Sequence, residues 1–160
     1  MRLTDSAGDF GIRPLGYEYP VARGNRWDDN WLVIAGECKT PEVSWSFTDP
    51  SLLVDEAHEV SRWLRAVASE ERPDAQPDED GKFVPDLIFI EPVIAFSQVR
   101  WRDGRGVLRV HLSLEAAPPP AQDAEGLELY QYVIEIESDR AAVLRAAATW
   151  DRYLVQFPMR

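Results

Sequence analysis

The sequence predicts an α+β fold made mainly of antiparallel sheet with two helices, in the order strands, helix, strands, helix. Two windows place apolar residues three and four positions apart, which indicates helices, whereas the segments around them alternate or run apolar as strands do. Short turns separate successive strands, and such turns join antiparallel neighbours. With 160 residues, 45% of them hydrophobic, the chain is long enough to bury one core, so residues 1–160 are expected to form a single domain.

The first half of the chain predicts strands that lead into a helix. Residues 9–19 are expected to form an extended stretch broken by Pro14 and Gly16, and residues 30–39 and 43–48 have the apolar or alternating pattern of strands. Asp49 and Pro50 then supply an N-cap and a proline for the first helical position. The helix carries its apolar residues on one stripe and is expected to end near Ser69. The stripe consists of Leu53, Ala57, Val60, Leu64 and Val67.

The second half predicts further strands and a closing helix. A short apolar strand, the two arms of a hairpin and a last strand are expected at residues 86–90, 93–101, 107–115 and 127–137. A proline-rich loop at 116–126 precedes the last strand. Ser138 or Asp139 caps the closing helix, whose apolar positions include Trp150.

Residues 70–82 separate the two halves. They are rich in Asp, Glu, Pro and Gly and show no apolar periodicity. Such a composition does not bury enough apolar surface to offset the entropy of ordering the chain. We therefore expect a mobile acidic loop within the single domain.

The net charge restricts the possible partners. The formal net charge is −11 at pH 7, from 28 acidic and 17 basic residues. This surface repels phosphate backbones and anionic membranes, so neither nucleic acid nor a membrane is expected as a partner, whereas a basic protein is attracted. The sequence has no signal-peptide pattern at its start and no apolar run of bilayer-spanning length, so a cytoplasmic location is expected. Nothing in the sequence indicates an oligomeric state.

A search for catalytic groups finds no complete motif. His58 and Glu59 begin like a metalloprotease motif, but Arg62 occupies the position of the second zinc-binding histidine. No serine lies in a nucleophile elbow, and no P-loop is present. The single cysteine, Cys38, lies in an apolar stretch and is expected in the core. The sequence therefore predicts no enzyme, no cofactor and no metal site.

Three polar residues keep an enzymatic alternative open. Glu91 and Glu115 lie at strand ends, and His111 lies on the polar face of the second hairpin arm, where a solvated surface is the ordinary interpretation. Two carboxylates about 5–10 Å apart are the pair that glycoside hydrolysis requires. A small hydrolase or sugar-binding protein is thus one alternative. A non-catalytic adaptor, whose charge serves only solubility, is another.

Six residues are the sequence's candidates for contact with a basic partner. Three are acids in the predicted mobile loop, where a partner reaches them readily. The other three combine a tryptophan, a frequent interface anchor, with two carboxylates, although they also suit a turn before the next strand. The six are Asp78, Glu79, Asp80, Trp27, Asp28 and Asp29.

Several motifs follow one another along the chain. They are Leu15-Gly16-Tyr17-Glu18-Tyr19-Pro20, Asp28-Asp29-Asn30-Trp31-Leu32, Trp45-Ser46-Phe47-Thr48-Asp49-Pro50-Ser51-Leu52-Leu53, Trp63-Leu64, Phe89-Ile90-Glu91-Pro92, Val110-His111-Leu112-Ser113-Leu114-Glu115 and Phe157-Pro158-Met159-Arg160. Their order resembles that of the WapI family of bacterial immunity proteins, nearly from end to end. The chain departs from that pattern at Tyr19, where phenylalanine or a similar ring is expected, and in the length of the 70–82 loop.

The resemblance implies a small cytoplasmic protein that binds and neutralises the C-terminal toxin domain of a polymorphic bacterial toxin. Such toxin domains are often nucleases, and an acidic inhibitor covers the cationic surface with which a nuclease binds nucleic acid. We therefore expect charge-matched occlusion of a cationic nuclease. The matching motif residues look structural, so the resemblance assigns no toxin contact.

Overall fold

Two antiparallel sheets and two long helices make up the computed structural model, which describes residues 1–122 and 127–160. The α+β prediction is confirmed. The first sheet has the order β1-β2-β3-β4 and the second has the order β5-β6-β7. Their strands are β1 Arg2–Thr4, β2 Asp9–Tyr17, β3 Trp31–Lys39, β4 Ser44–Leu53, β5 Ile94–Arg102, β6 Arg105–Leu112 and β7 Tyr132–Asp139.

Three helices are present in the described residues. They are α1 Val54–Ala68, the single-turn α2 Pro119–Gln122 and α3 Arg140–Leu154. α3 begins as predicted, because the Asp139 side chain accepts a hydrogen bond of 2.7 Å from the Ala142 amide. α1 ends at Ala68 with Ser69 as its C-cap, which agrees with the predicted end near Ser69.

The start of α1 differs from the prediction. Asp49 and Pro50 do not cap the helix, because they continue β4, which runs to Leu53. β4 is an edge strand with a register shift where Pro50 pairs with Val33, and proline is tolerated at edges and bulges. Glu56 closes the first helical turn instead, since its Oε2 accepts from the Leu53 amide at 2.9 Å.

Both sheets and both long helices contribute to one cluster of buried apolar side chains. Phe96 of β5 lies at its centre, with its ring 6.1 Å from Phe10 of β2 and 5.6 Å from Trp63 of α1. α1 and α3 pack together, and the fully buried Trp150 donates a hydrogen bond of 2.6 Å to the Ala57 carbonyl. Full burial of one large apolar side chain stabilises a fold by about 1.5–3 kcal/mol.

Several other elements differ from the expected ones. The predicted strand 86–90 is reduced to one isolated bridge between Leu87 and Phe96. β1 has no counterpart among the predicted strands, and β7 begins at Tyr132 because Tyr130 has a left-handed φ of 68°. The predicted loop 116–126 contains α2, and its last four residues lie outside the described part of the chain.

The 70–82 segment has no helix or strand, but hydrogen bonds attach it to the second sheet at its N-terminal end. The Asp74 carboxylate contacts the Arg102 guanidinium at 3.0 Å, and the Ala75 amide donates to the Gln98 carbonyl at 2.8 Å. The stretch from residue 77 to residue 81 is exposed. The mobility of this segment remains a prediction. No helix among the described residues is long and apolar enough to cross a membrane.

Candidate partner-binding surface

The acidic turn, residues 78–81, has the predicted exposed carboxylates at its tip. Asp78 shapes the turn itself, because its Oδ1 accepts hydrogen bonds from the amides of Asp80 at 3.0 Å and Lys82 at 2.8 Å. Glu79 and Asp80 are exposed. Lys82 anchors the turn through its Nζ, which lies 2.6 Å from both carboxylate oxygens of Glu128. Glu79 and Asp80 are therefore held outward for contact.

The Trp27 turn, residues 27–30, contains the other three candidates, which are buried to different extents. Trp27 is 62% exposed, whereas Asp29 is only 3% exposed. The Asp29 carboxylate accepts from the amides of Arg23 and Gly24 at 2.7 and 2.8 Å, so its charge holds the loop in shape. Asp28 is half-buried and accepts from the Asn25 side chain at 2.7 Å. Trp27 is thus the most accessible of the three.

A third acidic surface, which the sequence did not single out, brings together Glu18, Asp49, Glu91 and Glu115. We call these four residues the acidic face. Partial burial raises the pKa of the Asp49 carboxyl, and the charges of Glu115, Glu91 and Glu18 raise it further. Charges act in this way only across about 10 Å or less, so each of the three glutamates lies within about 10 Å of Asp49. Among the described residues, none of the four takes part in an ion pair.

Glu56 links the acidic face to the Trp27 turn. Its Oε1 accepts from the Ile90 amide at 2.8 Å, which places Glu91 next to the first turn of α1. Burial raises the pKa of Glu56, and the charges of Asp55 and Glu91 raise it too. Asp55 in turn lines a shallow depression of about 160 Å³ together with Trp27.

The acidic turn adjoins the other end of the acidic face. Glu115 and Glu128 line one depression of about 270 Å³, and Glu128 is the residue that Lys82 contacts. Exposed apolar side chains accompany the carboxylates, with exposures of 58% for Ile88, 56% for Ile90 and 49% for Leu114. Pairwise proximities therefore lead from Trp27 to the acidic face and from the acidic face to the acidic turn.

His111 does not lie on a solvated surface, which corrects the ordinary interpretation of its strand face. The side chain is fully buried, and the Phe83 ring covers it at 6.2 Å between centroids. Its Nδ1–H donates to the Tyr130 carbonyl at 2.8 Å, because a carbonyl oxygen only accepts. Nε2 therefore accepts from the Ser97 hydroxyl, also at 2.8 Å.

The Ser97–His111 pair is structural. Both side chains are 0% exposed, so a substrate does not reach the Ser97 hydroxyl in this structure. Burial lowers the pKa of His111 to about 4, which keeps the imidazole neutral at pH 7. In the hydrolase alternative, His111 is therefore not accessible for catalysis, although Glu91 and Glu115 both lie near Asp49.

The described parts of the chain contain no group of three His, Cys, Asp or Glu side chains able to hold a metal ion. Cys38 is buried, and burial raises the pKa of its thiol to about 12. A thiol with such a pKa is not a nucleophile at neutral pH.

An acidic face that forms no ion pair with the described residues, together with exposed apolar side chains, is typical of a protein that binds a basic protein partner. The chain belongs to the immunity protein WapI-like family, whose model matches residues 2–158. It is therefore an immunity protein, and membership implies a toxin protein as its partner. The resemblance seen in the sequence motifs is confirmed. Comparison with curated proteins finds no match, and comparison with solved structures finds none.

Proposed function

We propose that this immunity protein neutralises a cationic nuclease domain by covering its substrate groove with the acidic face and the acidic turn. The observation that carries the proposal is the crowding of Glu18, Asp49, Glu91 and Glu115, none of which is ion-paired within the described residues. A nuclease that binds a phosphate backbone presents Lys and Arg side chains. A surface of carboxylates competes for those same side chains.

Negative charges that lie close together repel one another, and binding of a basic partner relieves this repulsion. Burial is the main cause of the raised pKa of Asp49, and neighbouring negative charges disfavour its ionised form further. A Lys or Arg of the toxin next to Asp49 favours the ionised form and lowers that pKa again. Binding is therefore expected to release protons at a pH close to the raised value.

Charged and apolar groups serve different steps of binding. Long-range attraction between acidic and basic surfaces accelerates encounter, whereas apolar side chains buried in the complex slow dissociation. Ile90 and Leu114 are exposed apolar residues next to Glu91 and Glu115 in the chain, and Ile88 and Trp27 are exposed as well. We assign the association rate to the carboxylates and the lifetime of the complex to these four.

The mode of action needs no chemical step by the immunity protein. Occlusion blocks the toxin's substrate without converting it, so one immunity protein neutralises one toxin domain. We propose that this happens in the cytoplasm, where a nuclease meets nucleic acid. We therefore expect complete neutralisation only when at least one immunity protein is present per toxin domain.

The test compares two triple variants with the same change in net charge. D49N/E91Q/E115Q removes three charges of the acidic face. E42Q/E71Q/D103N removes three exposed charges that take part in no ion pair within the described residues. The partner is the toxin domain encoded immediately upstream, and stopped-flow fluorescence measures association at low and high salt.

The face variant is expected to associate about tenfold more slowly at low salt, and the control variant less than about threefold more slowly. Replacing Asp78, Glu79 and Asp80 by amides is expected to slow association as well. Equal rates for the face and control variants would show that net charge alone drives encounter. An association rate that does not depend on salt would remove the charge-matched mechanism altogether.

A further inference from the structure

An arginine-lined groove lies on the surface between α3, the first sheet and the start of β6. It consists of two adjoining cavities of about 450 and 800 Å³. Thr4, Ser138 and Ala142 line both cavities, so the groove is continuous. None of the residues of the acidic face or the acidic turn lines it.

The charge of the groove is opposite to that of the chain as a whole. Six of the 17 basic residues line it, whereas the acids that line it are three of 28. The arginines are Arg2, Arg13, Arg100, Arg102, Arg105 and Arg145, and the acids are Glu37, Glu137 and Asp139. A local excess of positive charge persists here in a chain with a net charge of −11.

Four of these arginines have no acidic partner in the part of the chain that the structure describes. Arg2 pairs with Asp9, and Arg102 pairs with Asp74. Within residues 1–122 and 127–160, Arg13, Arg100, Arg105 and Arg145 form no ion pair. Two of the four line each cavity.

Arg100 reaches the groove from an irregular point of β5. The β5–β6 register shifts between Val99 and Arg102, and Arg100 has a left-handed φ of 55°. Such a bulge redirects a side chain at some cost in backbone energy. The local chain geometry therefore turns this guanidinium out of the regular alternation of the strand.

The floor of the first cavity is apolar. Leu3, Ile12 and Ala146 line it and are 3% exposed, whereas Tyr153, at 37%, is its accessible aromatic side chain. Arg13 and Arg145 are exposed around this floor. Apolar surface between two guanidinium groups suits a segment that carries an apolar side chain between carboxylates.

We propose that the groove binds an extended acidic segment of the toxin domain, with at least two carboxylates that meet the arginines. The inference rests on the proposed function, because it takes the toxin as the partner. A nucleic acid is disfavoured as the occupant, since the chain's net charge of −11 repels a polyanion, whereas the proposed toxin domain is cationic overall and is attracted. A contact of opposite sign to the acidic face fixes the orientation in which the toxin docks.

The test reverses one groove charge at a time. R13E and R145E place the wrong charge in the groove, and R62E is the control on the exposed side of α1, with the same change in net charge and the additional loss of the exposed Arg62–Glu59 ion pair. R145E and R62E both exchange an exposed arginine within a 15-residue helix. Calorimetric titration with the upstream toxin domain gives Kd, and circular dichroism shows that each variant is folded.

R13E and R145E are each expected to weaken toxin binding at least about tenfold, and R62E less than about threefold. R145K keeps the charge but loses the planar guanidinium, so it is expected to weaken binding less than R145E does. If all variants bind as R62E does, the groove is not a contact and only this inference falls. If the parent protein does not bind the toxin domain, the proposed function falls together with it.

A second experiment tests whether the groove binds nucleic acid instead of an acidic protein segment. A fluorescein-labelled single-stranded 12-nucleotide DNA is titrated with the parent protein and with R145E at low salt. We expect no binding to either. Saturable binding that R145E abolishes would assign the groove to nucleic acid and overturn the proposal.

Discussion

Replacing His111 by glutamine tests how much one buried titratable group contributes to the pH dependence of the protein's stability. The imidazole lies between β5 and β7, where it accepts from the Ser97 hydroxyl and donates to the Tyr130 carbonyl. Burial lowers its pKa from 6.5 to about 4, and the positive charge of Arg109 acts in the same direction. The folded protein therefore keeps His111 neutral at a pH where the unfolded chain binds a proton.

The size of the effect follows from these two pKa values. The contribution of His111 is fully present above pH 6.5 and is lost as the pH falls from 6.5 towards the folded pKa of about 4. Since each pKa unit corresponds to about 1.4 kcal/mol, the free energy of unfolding is expected to fall by about 2 kcal/mol between pH 7.5 and pH 5.0 through this group. Both pH values lie above the isoelectric point of 4.6.

Urea denaturation followed by tryptophan fluorescence measures this difference in the parent, H111Q and H58Q. H111Q is expected to be less stable at every pH by about 1–3 kcal/mol, because buried hydrogen-bonding groups lose their partner. Its loss of stability between pH 7.5 and pH 5.0 is expected to be about 2 kcal/mol smaller than that of the parent. His58 is exposed on α1, so H58Q is expected to follow the parent.

The prediction is refuted if H111Q loses as much stability between pH 7.5 and pH 5.0 as the parent does. That outcome would assign the loss to other titrating groups, among them the Met1 amine, whose pKa burial lowers to about 5, and would show that the buried imidazole is not the titrating group. A parent protein whose stability does not change over this pH range would refute the burial argument itself.

Two further predictions concern stability. G36A is expected to destabilise the fold by about 2–3 kcal/mol in urea denaturation, because an added Cβ lies 2.0 Å from the buried Phe47 ring; G16A, with nothing within 4 Å, is its control. D139A is expected to cost about 1 kcal/mol through the lost cap on the Ala142 amide, whereas D139N keeps an acceptor and most of the stability. Equal losses of stability in G36A and G16A would contradict the close contact with Phe47, and equal losses in D139A and D139N would contradict the cap on the Ala142 amide.

Local patterns predicted most of the regular elements. The alternation of β3 and β4, the hairpin of β5 and β6, and the apolar stripes of α1 and α3 are all properties of neighbouring residues. The first turn of α1 is the instructive failure. Asp49-Pro50 is a strong local start signal, but pairing with β3 holds Pro50 in an edge strand.

The candidate surface depended more on distant contacts. Sequence reasoning named Glu79 and Asp80, and both are exposed. It also named Asp29, whose carboxylate instead holds its own loop through two backbone amides. Burial of a particular carboxylate depends on which groups fold over it, and composition does not contain that information.

The sequence by itself determined the α+β class, the acidity and the family, because each depends on composition or on the order of local motifs. Only the tertiary structure decided that Glu18, Asp49, Glu91 and Glu115 share one face and that His111 is sealed beneath Phe83. The same holds for the arginine-lined groove, whose residues come from β1, β2, α3 and the β5–β6 hairpin. Electrostatic interactions depend on distance in space, and folding sets those distances between residues far apart in the chain.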